Sequence, residues 1–325
     1  MLEYRELWHD QNKSWIKNCE YPQNLDNEMV VVKATHSLIS QGTERLVVSG
    51  KLSKDAYHKM KIPRMKGCFS SQFTYGYSLV GEVVTGTKEM IGNYVHLLHP
   101  HQEMAFVHSS EVSKIPDGIS PHIATLASNM ETAVNAMWDA KIDLGDNVLI
   151  IGYGVIGALV ASLVIQIPGV KLTILELNPV RSSKASEIGV PVVTSNDELE
   201  CEFDIAFNTS ASSLGLQVAI DKTVTDGKII ELSLYGSKRV SVDFGNAFHY
   251  GRKNIISSQV SSIPTLKQYN WSFKKRKDLV FRLLKRPELA GLLKNEISFN
   301  EAPHYYEDLR ENKISKFSTL INYEV

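Results

Sequence analysis

The sequence predicts an α/β protein in which a doubly wound parallel sheet is joined to a β-rich domain. The segment from Gly145 to about Val260 alternates strand-like and helix-like stretches, which is typical of a parallel sheet with helices on both faces. Residues 1–128 instead contain short β-branched runs that Gly and Pro interrupt. At 325 residues the chain is long enough for two domains.

Composition and charge indicate a globular protein without an obvious macromolecular partner. Hydrophobic residues make up 43% and charged residues 22%, and the net charge of −1 favours neither nucleic acid nor an anionic membrane. Cys19, Cys68 and Cys201 are scattered and form no C-x-x-C pair, which fits a reducing cytoplasm. The first six residues carry charge where a signal peptide needs an apolar core. We therefore expect a cytoplasmic protein.

Periodicity places the individual elements. In the front half we expect strands over 29–34, 78–84 and 94–98 and one helical stretch over 121–140. In the second half we expect strands over 147–151, 170–175, 190–193, 203–208 and 228–232, with helices over 158–165, 177–189 and 214–224 between them. A helix around 279–284 and closing strands over 297–299 and 317–321 complete the chain.

The clearest motif is a glycine-rich turn between a strand and a helix. Apolar residues 148–151 read as a buried parallel strand, and the pattern G-x-G-x-x-G follows them directly and opens into a helix. Such glycines permit a tight turn, the approach of a pyrophosphate and close packing of the helix on the strand. The predicted cofactor-binding residues are Gly152, Tyr153, Gly154, Val155, Ile156 and Gly157.

The same region offers an alternative. Residues 148–165 form an uncharged run of eighteen residues, long enough to be considered as a membrane span. Three glycines and a tyrosine interrupt the run, and the strand–helix pattern continues after it. We therefore prefer the dinucleotide site and expect no association with a membrane.

A second strand predicts which cofactor binds. It ends in Glu176, nineteen residues after Gly157, and a carboxylate there can accept hydrogen bonds from both adenosine ribose hydroxyls. Because it would repel a ribose phosphate, we expect NAD(H) rather than NADP(H). Ser210 follows the 203–208 strand at the carboxyl edge of the sheet, and Leu234, within 233–236, is placed to cover the nicotinamide.

This order of parts resembles the medium-chain dehydrogenase/reductase superfamily over nearly the whole chain. Segments 37–44, 75–83 and 127–133 look like its three substrate-site loops, and Glu176, Asn178 and Arg181 match the end of its second cofactor strand. The resemblance implies a GroES-like barrel domain over 1–128, a Rossmann domain over 129–262 and a return to the barrel over 263–325. It also implies a homodimer and a small-molecule substrate that enters between the two domains.

The departures from the family concern its metal. Zinc alcohol dehydrogenases use a cysteine, a Gly-His-Glu triplet and a second cysteine, but the matching positions here read Ser40, Gly76-Tyr77-Ser78 and Ser128. A neutral hydroxyl is a poor Zn²⁺ ligand, and we expect no imidazole in position to replace it. Three cysteines also cannot form the family's four-cysteine structural zinc lobe. We therefore expect no zinc. Segments 40–44 and 75–81 look most like the zinc-free group around bacteriochlorophyllide dehydrogenase, whose enzymes oxidise a hydroxyethyl side chain to acetyl with NAD⁺. We do not expect their chlorin substrate to carry over to this chain.

Hydride transfer without a metal needs another donor to polarise the substrate oxygen and a group that moves a proton. Tyr77 and Ser40 stand at the former ligand positions, and Thr43 lies near the family's hydroxyl relay position. Glu44 is expected to anchor this network, and His249, near the return to the barrel, is a candidate acid or base. Packing, loop shape or an interface role are the structural alternatives for these side chains.

Three other features have structural interpretations. His99 and His101 flank a proline and are expected to be an ordinary loop pair rather than metal ligands. The basic run Lys274–Lys277 is expected to be a solvated helix face rather than a site for phosphate or nucleic acid. Glu131 fits a structural helix carboxylate and a site residue equally well.

The sequence thus favours a zinc-independent, NAD(H)-dependent oxidoreductase that acts on an alcohol or carbonyl compound. A quinone or enoyl reductase of the same fold that uses NADPH is a second hypothesis, against which Glu176 argues. A protein that binds the dinucleotide without turnover is a third, since the metal ligands of the family are lost.

Overall fold

The structure, a computed structural model, describes residues 3–24, 26, 28–199 and 202–324. Cys201 and the first two residues, which entered the sequence analysis, lie outside these ranges. The chain divides into two compact units, Met1–Ser128 with Phe281–Val325 and Asn129–Val280. The predicted α/β class, with a parallel sheet in one part and a β-rich domain in the other, is confirmed.

The first unit is built mainly from antiparallel strands. Its strands are β1 (Glu3–His9), β2 (Ser14–Glu20), β3 (Met29–Ile39), β4 (Phe73–Thr74), β5 (Leu79–Thr85), β6 (Tyr94–Leu97), β7 (Met104–His108), β8 (Ser113–Lys114), β15 (Glu296–Ser298) and β16 (Thr319–Asn322). One sheet has the order β2-β1-β4; in the other the order is β15-β16-β3-β5-β6-β8, and β7 also pairs with β3. Its helices are α1 (Gln41–Val48), α2 (Tyr57–Met60), α3 (Pro121–Ala124) and α10 (Ala302–Arg310).

The second unit contains a six-stranded sheet in which every pair is parallel. Its strands are β9 (Asn147–Ile151), β10 (Lys171–Leu175), β11 (Val192–Val193), β12 (Phe203–Asn208), β13 (Thr223–Glu231) and β14 (Asn254–Ser257), in the order β11-β10-β9-β12-β13-β14. Its helices are α5 (Val155–Val164), α6 (Pro179–Ser186), α7 (Ser213–Lys222) and α8 (Ala247–Tyr250), while α4 (Ala127–Ala140) and α9 (Phe273–Leu283) extend into both units. The order reverses between β9 and β12, and ligands of such sheets bind at the carboxyl ends beside that point.

The uncharged run 148–165 is divided between a strand and a helix. Residues 148–151 of β9 are buried on both faces, as a central parallel strand requires, and α5 is buried from Gly157 to Val164. Among the residues that the structure describes, no helix combines the length and the apolar character needed to cross a bilayer. The apolar composition of this run therefore reflects burial within the parallel-sheet unit.

Several boundaries differ from the predicted ones. The helical stretch over 121–140 is two helices, because α3 ends at Ala124 and α4 begins at Ala127. The hairpin of β1 and β2, which pairs Trp8 with Trp15, was not predicted. Both strands contain many polar and charged residues, so the alternation of apolar residues that predicts a strand is weak. The cross-strand pairs that stabilise this hairpin are apparent only in the structure.

The basic run 274–277 is a solvated helix face only in its first half, where Lys274 and Lys275 are exposed, and the prediction is wrong for Arg276 and Lys277. Arg276 is only 3% exposed; its Nε donates to Glu131 Oε1 at 3.3 Å and its Nη1 to Asn135 Oδ1 at 2.8 Å. Lys277 Nζ donates to Glu131 Oε2 at 2.5 Å. These bonds tie α9 to α4, so residues 263–280 belong to the second unit and the return to the first begins at Phe281 rather than at residue 263.

We expect Glu131→Gln to lower the free energy of unfolding by about 3 to 5 kcal/mol, because it leaves two buried cations without their shared carboxylate. Chemical denaturation followed by tryptophan fluorescence measures the change, since Trp138 and Trp271 pack against each other in this unit.

Lys274→Met is the matched control. Lys274 pairs with Asp278 at the surface, so its loss is expected to change stability by less than about 1 kcal/mol. Equal effects of the two substitutions would contradict a buried charge cluster at Glu131.

Candidate active site

Three segments that the resemblance marks as substrate-site loops come together in the first unit. Ser40 precedes α1, Tyr77 precedes β5, and Ser128 lies in the first turn of α4. The Tyr77 phenol donates to Ser40 Oγ, and Ser128 Oγ donates to the Tyr77 carbonyl oxygen at 2.8 Å. The fold thus groups the three positions around one tyrosine.

Tyr77 is a protonated phenol at neutral pH. Burial raises its pKa to about 12; the bond to Ser40 opposes this shift, the negative charge of Glu44 adds to it, and the bond to Thr43 opposes it. Because Ser40 Oγ accepts the phenol proton, the serine keeps its own proton for a further acceptor. Thr43, Ser40 and Tyr77 therefore form a cluster of hydroxyl donors.

Glu44 determines how Ser40 is held. Its Oε1 accepts the Ser40 backbone N–H at 2.7 Å, while the Glu44 N–H donates to the Ser40 carbonyl oxygen at 2.8 Å. A serine at the start of a helix usually caps the helix with its hydroxyl, but Ser40 makes no side-chain cap bond. The carboxylate supports the backbone in its place, and the Ser40 hydroxyl stays available to Tyr77.

The expectation that no imidazole lies near these positions is wrong. His96 Nε2 lies 3.1 Å from Ser78 Oγ and 3.2 Å from Ser128 Oγ. Both hydroxyls donate to carbonyl oxygens, Ser78 to Thr125 and Ser128 to Tyr77, so they can only accept from the imidazole. In this arrangement His96 Nε2 donates to the two hydroxyls and is engaged with them.

The donor atoms at these positions do not fit a catalytic zinc. They are two hydroxyls already engaged with neighbours and a phenol whose raised pKa keeps it neutral, whereas Zn²⁺ in proteins takes thiolate, imidazole and carboxylate ligands. Within the described ranges, no group of three or more His, Cys, Asp or Glu side chains is arranged to hold a metal ion.

The glycine-rich turn has the geometry of a phosphate cradle. A side chain on Gly157 would put its Cβ 2.2 Å from the Gly152 carbonyl oxygen, so only glycine allows α5 to pack this closely on β9. At Gly154, the nearest atom to such a Cβ is Arg181 Nη1 at 3.9 Å, so the space in front of the helix start is open. Gly154 also provides no side chain to cap α5, which leaves Val155 and Ile156 amides to an anion.

Glu176 lies beside this turn at the end of β10. It is 7% exposed, and its oxygens accept the Tyr153 N–H at 2.6 Å and the Asn178 N–H at 2.7 Å. Each carboxylate oxygen retains a second lone pair that can accept a hydroxyl. The Tyr153 amide is therefore used by Glu176 and not by a phosphate, and the Tyr153 ring is buried.

Asn178 and Arg181 have different tasks. Asn178 Oδ1 accepts the N–H groups of Val180 and Arg181 at 3.0 and 3.1 Å, which makes it the N-cap of α6. The Arg181 guanidinium lies over Gly154, where a cation can meet a phosphate. The structure therefore explains Asn178 as a helix cap and leaves Arg181 as the cofactor candidate of the two.

Ser210 and Leu234 lie at the carboxyl edge of the sheet, where their strands end. Ser210 Oγ donates to Asn208 Oδ1 at 2.7 Å, and Asn208 Nδ2 donates to Glu231 Oε2 at 2.7 Å. Tyr235 also donates to Glu231 Oε2, at 3.1 Å, beside the half-buried Leu234. Tyr235 belongs to the predicted covering segment 233–236, but Asn208 and Glu231 were not predicted as site residues, although each ends a strand and that position was the available signal.

His249 does not lie with the cofactor-binding candidates of the second unit. It is exposed on α8, which directly precedes β14, and therefore lies at the amino edge of the parallel sheet. The glycine-rich turn and Ser210 lie at the opposite, carboxyl edge of the same sheet. The His249 ring packs edge-on against Tyr250.

His99 and His101 lie in the loop after β6, as predicted, but only His99 is an ordinary loop residue. His99 Nδ1 contacts the Pro100 carbonyl oxygen at 3.0 Å, whereas His101 contacts Glu44 and Ser37. The sequence contains no signal for this pairing, because 57 residues separate Glu44 from His101.

Comparison with known proteins supports a dehydrogenase fold. No protein-family model matches the chain. Among curated proteins, (R,R)-butanediol dehydrogenase of Bacillus subtilis is 27% identical over 132 residues, which is 38% of either chain. D-guloside 3-dehydrogenase of Escherichia coli is 22% identical over 267 residues, or 74% of this chain and 75% of the relative. The chain thus matches well under half the length of the first relative and three quarters of the second.

Solved structures match over almost the whole chain. The 2R,3R-butanediol dehydrogenase of Bacillus subtilis has a TM-score of 0.78 at 18% identity and covers 99% of this chain and 100% of its own. A protein of Sinorhizobium meliloti described as a zinc-binding dehydrogenase, bound to NADP, has a TM-score of 0.78 at 14% identity, with coverage of 99% and 100%. Acetophenone reductase of Geotrichum candidum, in complex with NAD, has a TM-score of 0.77 at 16% identity, with coverage of 99% and 97%. At these identities the similarity establishes a shared fold.

Proposed function

We propose that this chain, which has the fold of the medium-chain dehydrogenases, is an oxidoreductase that moves a hydride between NAD(H) and an alcohol or carbonyl compound without a catalytic zinc. The observation that carries the proposal is the Tyr77–Ser40 hydroxyl pair, which occupies positions where zinc enzymes of this fold have metal ligands. Alcohol and polyol dehydrogenases among the similar proteins support the same reaction class.

The second unit supports a dinucleotide as the cofactor. The open approach to Gly154, the close contact at Gly157 and the position of Glu176 fit a pyrophosphate and an adenosine ribose. When bound, NAD(H) supplies or accepts the hydride. The chain's own contribution is to hold the phosphates at the start of α5 and the ribose hydroxyls on Glu176.

The first unit supports the proton chemistry. In the reducing direction, the Ser40 hydroxyl donates a hydrogen bond to the substrate carbonyl oxygen while Ser40 Oγ accepts from Tyr77. As the carbonyl carbon gains the hydride, its oxygen takes the Ser40 proton, and the Tyr77 proton replaces the one that Ser40 has given. Tyr77, which is partly exposed, then regains a proton from solvent water. In oxidation Tyr77 first releases its proton to solvent water, after which the protons move in the opposite direction. Hydroxyl donors that face the developing oxyanion perform the task that a Lewis acid performs elsewhere.

The remaining family properties belong to the proposal as well. A small molecule with a secondary alcohol or a ketone is the expected substrate, and a cytoplasmic homodimer is the expected form of the protein. A panel of diols, polyols and aryl ketones is therefore the starting set for activity measurements.

NADH is expected to bind at least tenfold more tightly than NADPH, about 1.4 kcal/mol, because Glu176 repels a ribose phosphate. Calorimetric titration with each nucleotide gives the two dissociation constants. Glu176→Gln should bring the NADPH dissociation constant closer to that of NADH. Equal affinities would overturn the preference for NAD(H), and absence of binding by either nucleotide would refute the oxidoreductase proposal.

Tyr77→Phe is expected to lower kcat by about 100-fold or more, because it removes the phenol proton from the hydroxyl pair. NADH affinity should stay within about twofold. Tyr75→Phe is the matched control, since the Tyr75 phenol donates to the Met60 carbonyl oxygen and not to Ser40. If the two variants lose activity equally, Tyr77 has no role in the chemistry.

Purified protein is expected to contain far less than one zinc per chain, and a chelator should leave turnover unchanged. Elemental analysis by mass spectrometry gives the zinc content. Stoichiometric zinc whose removal abolishes turnover would overturn the zinc-independent part of the proposal.

A further inference from the structure

A buried polar cluster lies beside the Tyr77–Ser40 pair and is not part of the proposed chemistry. Glu44 is 1% exposed and His101 is fully buried, and His101 Nε2 lies 3.1 Å from Glu44 Oε2. Tyr306 from α10 donates to the same carboxylate oxygen. Behind the imidazole, Ser37 Oγ lies 2.7 Å from His101 Nδ1 and 2.8 Å from the Tyr323 hydroxyl.

The Glu44 carboxylate is the common acceptor of the cluster. Because a carboxylate can only accept, the Ser40 amide, the Tyr306 phenol and His101 Nε2 all donate to it. On the other side of the ring, Ser37 Oγ lies between His101 Nδ1 and the Tyr323 hydroxyl. The imidazole thus joins Glu44 to Ser37 through its two nitrogens.

His101 also contacts the segment that carries Tyr77. Its backbone N–H donates to the Tyr75 carbonyl oxygen at 3.0 Å. Its ring packs directly on Gly76, where a Cβ would lie 2.6 Å from the imidazole and where φ is +122°. A single side chain therefore touches the residue before Tyr77 and the carboxylate that holds Ser40.

The cluster does not deliver protons to the hydroxyl pair. Glu44 reaches Ser40 through the backbone amide and not through the hydroxyl. An amide N–H does not exchange its proton during a catalytic cycle, so the path from His101 ends at Glu44. The contribution that remains is geometric.

We propose that His101 is a positioning residue, which fixes Glu44 against the Ser40 amide and Gly76 against its own ring so that the Tyr77 phenol meets Ser40 Oγ. This inference rests on the proposed function, because the geometry matters for turnover only if the hydroxyl pair performs the proton chemistry.

His101→Phe preserves the ring shape and removes both hydrogen bonds. We expect kcat to fall by about 100-fold, because a small displacement of the hydroxyl pair is enough for such a loss, while KM and NADH affinity stay within about twofold. His101→Gln should recover most of the activity, since its amide nitrogen can take the Nε2 position and donate to Glu44. His99→Phe is the matched control, an equally drastic change at a buried histidine two residues away, and should keep kcat within about twofold.

A double-mutant cycle separates positioning from general damage. In the Tyr77→Phe background, His101→Phe should cost little further activity, because the pair that it positions is already broken. If the two substitutions lower kcat by independent factors that multiply in the double variant, the proposal is overturned. Equal losses of kcat in the His99 and His101 variants would also overturn it.

If His101→Phe does not fold, His101→Gln and His101→Asn are compared instead. The asparagine side chain is one methylene shorter than glutamine, so its amide cannot reach Glu44. Equal activity of these two would also overturn the proposal.

A spectroscopic readout keeps this inference distinct from the proposed function. In protein labelled with ¹³C at the tyrosine ζ carbon, the Tyr77 signal is the one that Tyr77→Phe removes. It should move in His101→Phe, return towards its original position in His101→Gln and stay unchanged in His99→Phe. A protein without turnover that shows these shifts would refute the oxidoreductase proposal and retain the positioning role. An unmoved signal in His101→Phe would refute the positioning role alone.

Discussion

The β-rich unit depends on the buried carboxylate of Glu44. Burying Glu44 without partners would cost several kcal/mol, so donors must converge on its two oxygens. The donors are the Ser40 amide, the Tyr306 phenol and the His101 imidazole. Because they come from the start of α1, from α10 and from the loop after β6, satisfying one charge fixes three distant segments. The Ser40–Tyr77 pair owes its geometry to that requirement.

The second unit applies the same principle to its own acidic residue. Glu176 is held by the backbone amides of Tyr153 and Asn178, which fix the orientation of the carboxylate; in the proposed function this is the group that receives the ribose. The Asn178 side chain then starts α6, and the Arg181 guanidinium lies over Gly154. A site whose polar groups are already oriented loses less entropy when the ligand binds.

The hydroxyl pair differs from a metal site in what it demands of its surroundings. A metal ion brings its own charge, whereas neutral hydroxyls act on an oxyanion only if they are pre-oriented and protonated. Burial raises the pKa of Tyr77 to about 12, which keeps the phenol a donor at neutral pH. His96, the imidazole beside Ser128, lies within hydrogen-bond distance of the Ser78 and Ser128 hydroxyls and links the two loops that carry them.

The sequence by itself determined the features that are written within short stretches of chain. The parallel sheet, the glycine-rich turn and the position of Glu176 follow from apolar periodicity and from a motif contained in about thirty residues. It also gave Ser40, Thr43, Glu44 and Tyr77 as candidates, through their resemblance to a known set of loops. Only the tertiary structure decided how charged side chains pair. His101 contacts Glu44 across 57 positions of the sequence, and Arg276 contacts Glu131 across 145. A basic run has the same composition whether its side chains face solvent or a buried carboxylate, so the sequence could not distinguish the two. The physical reason is that burial of a charge depends on which distant donor or acceptor the fold brings to it, and no local pattern records that choice.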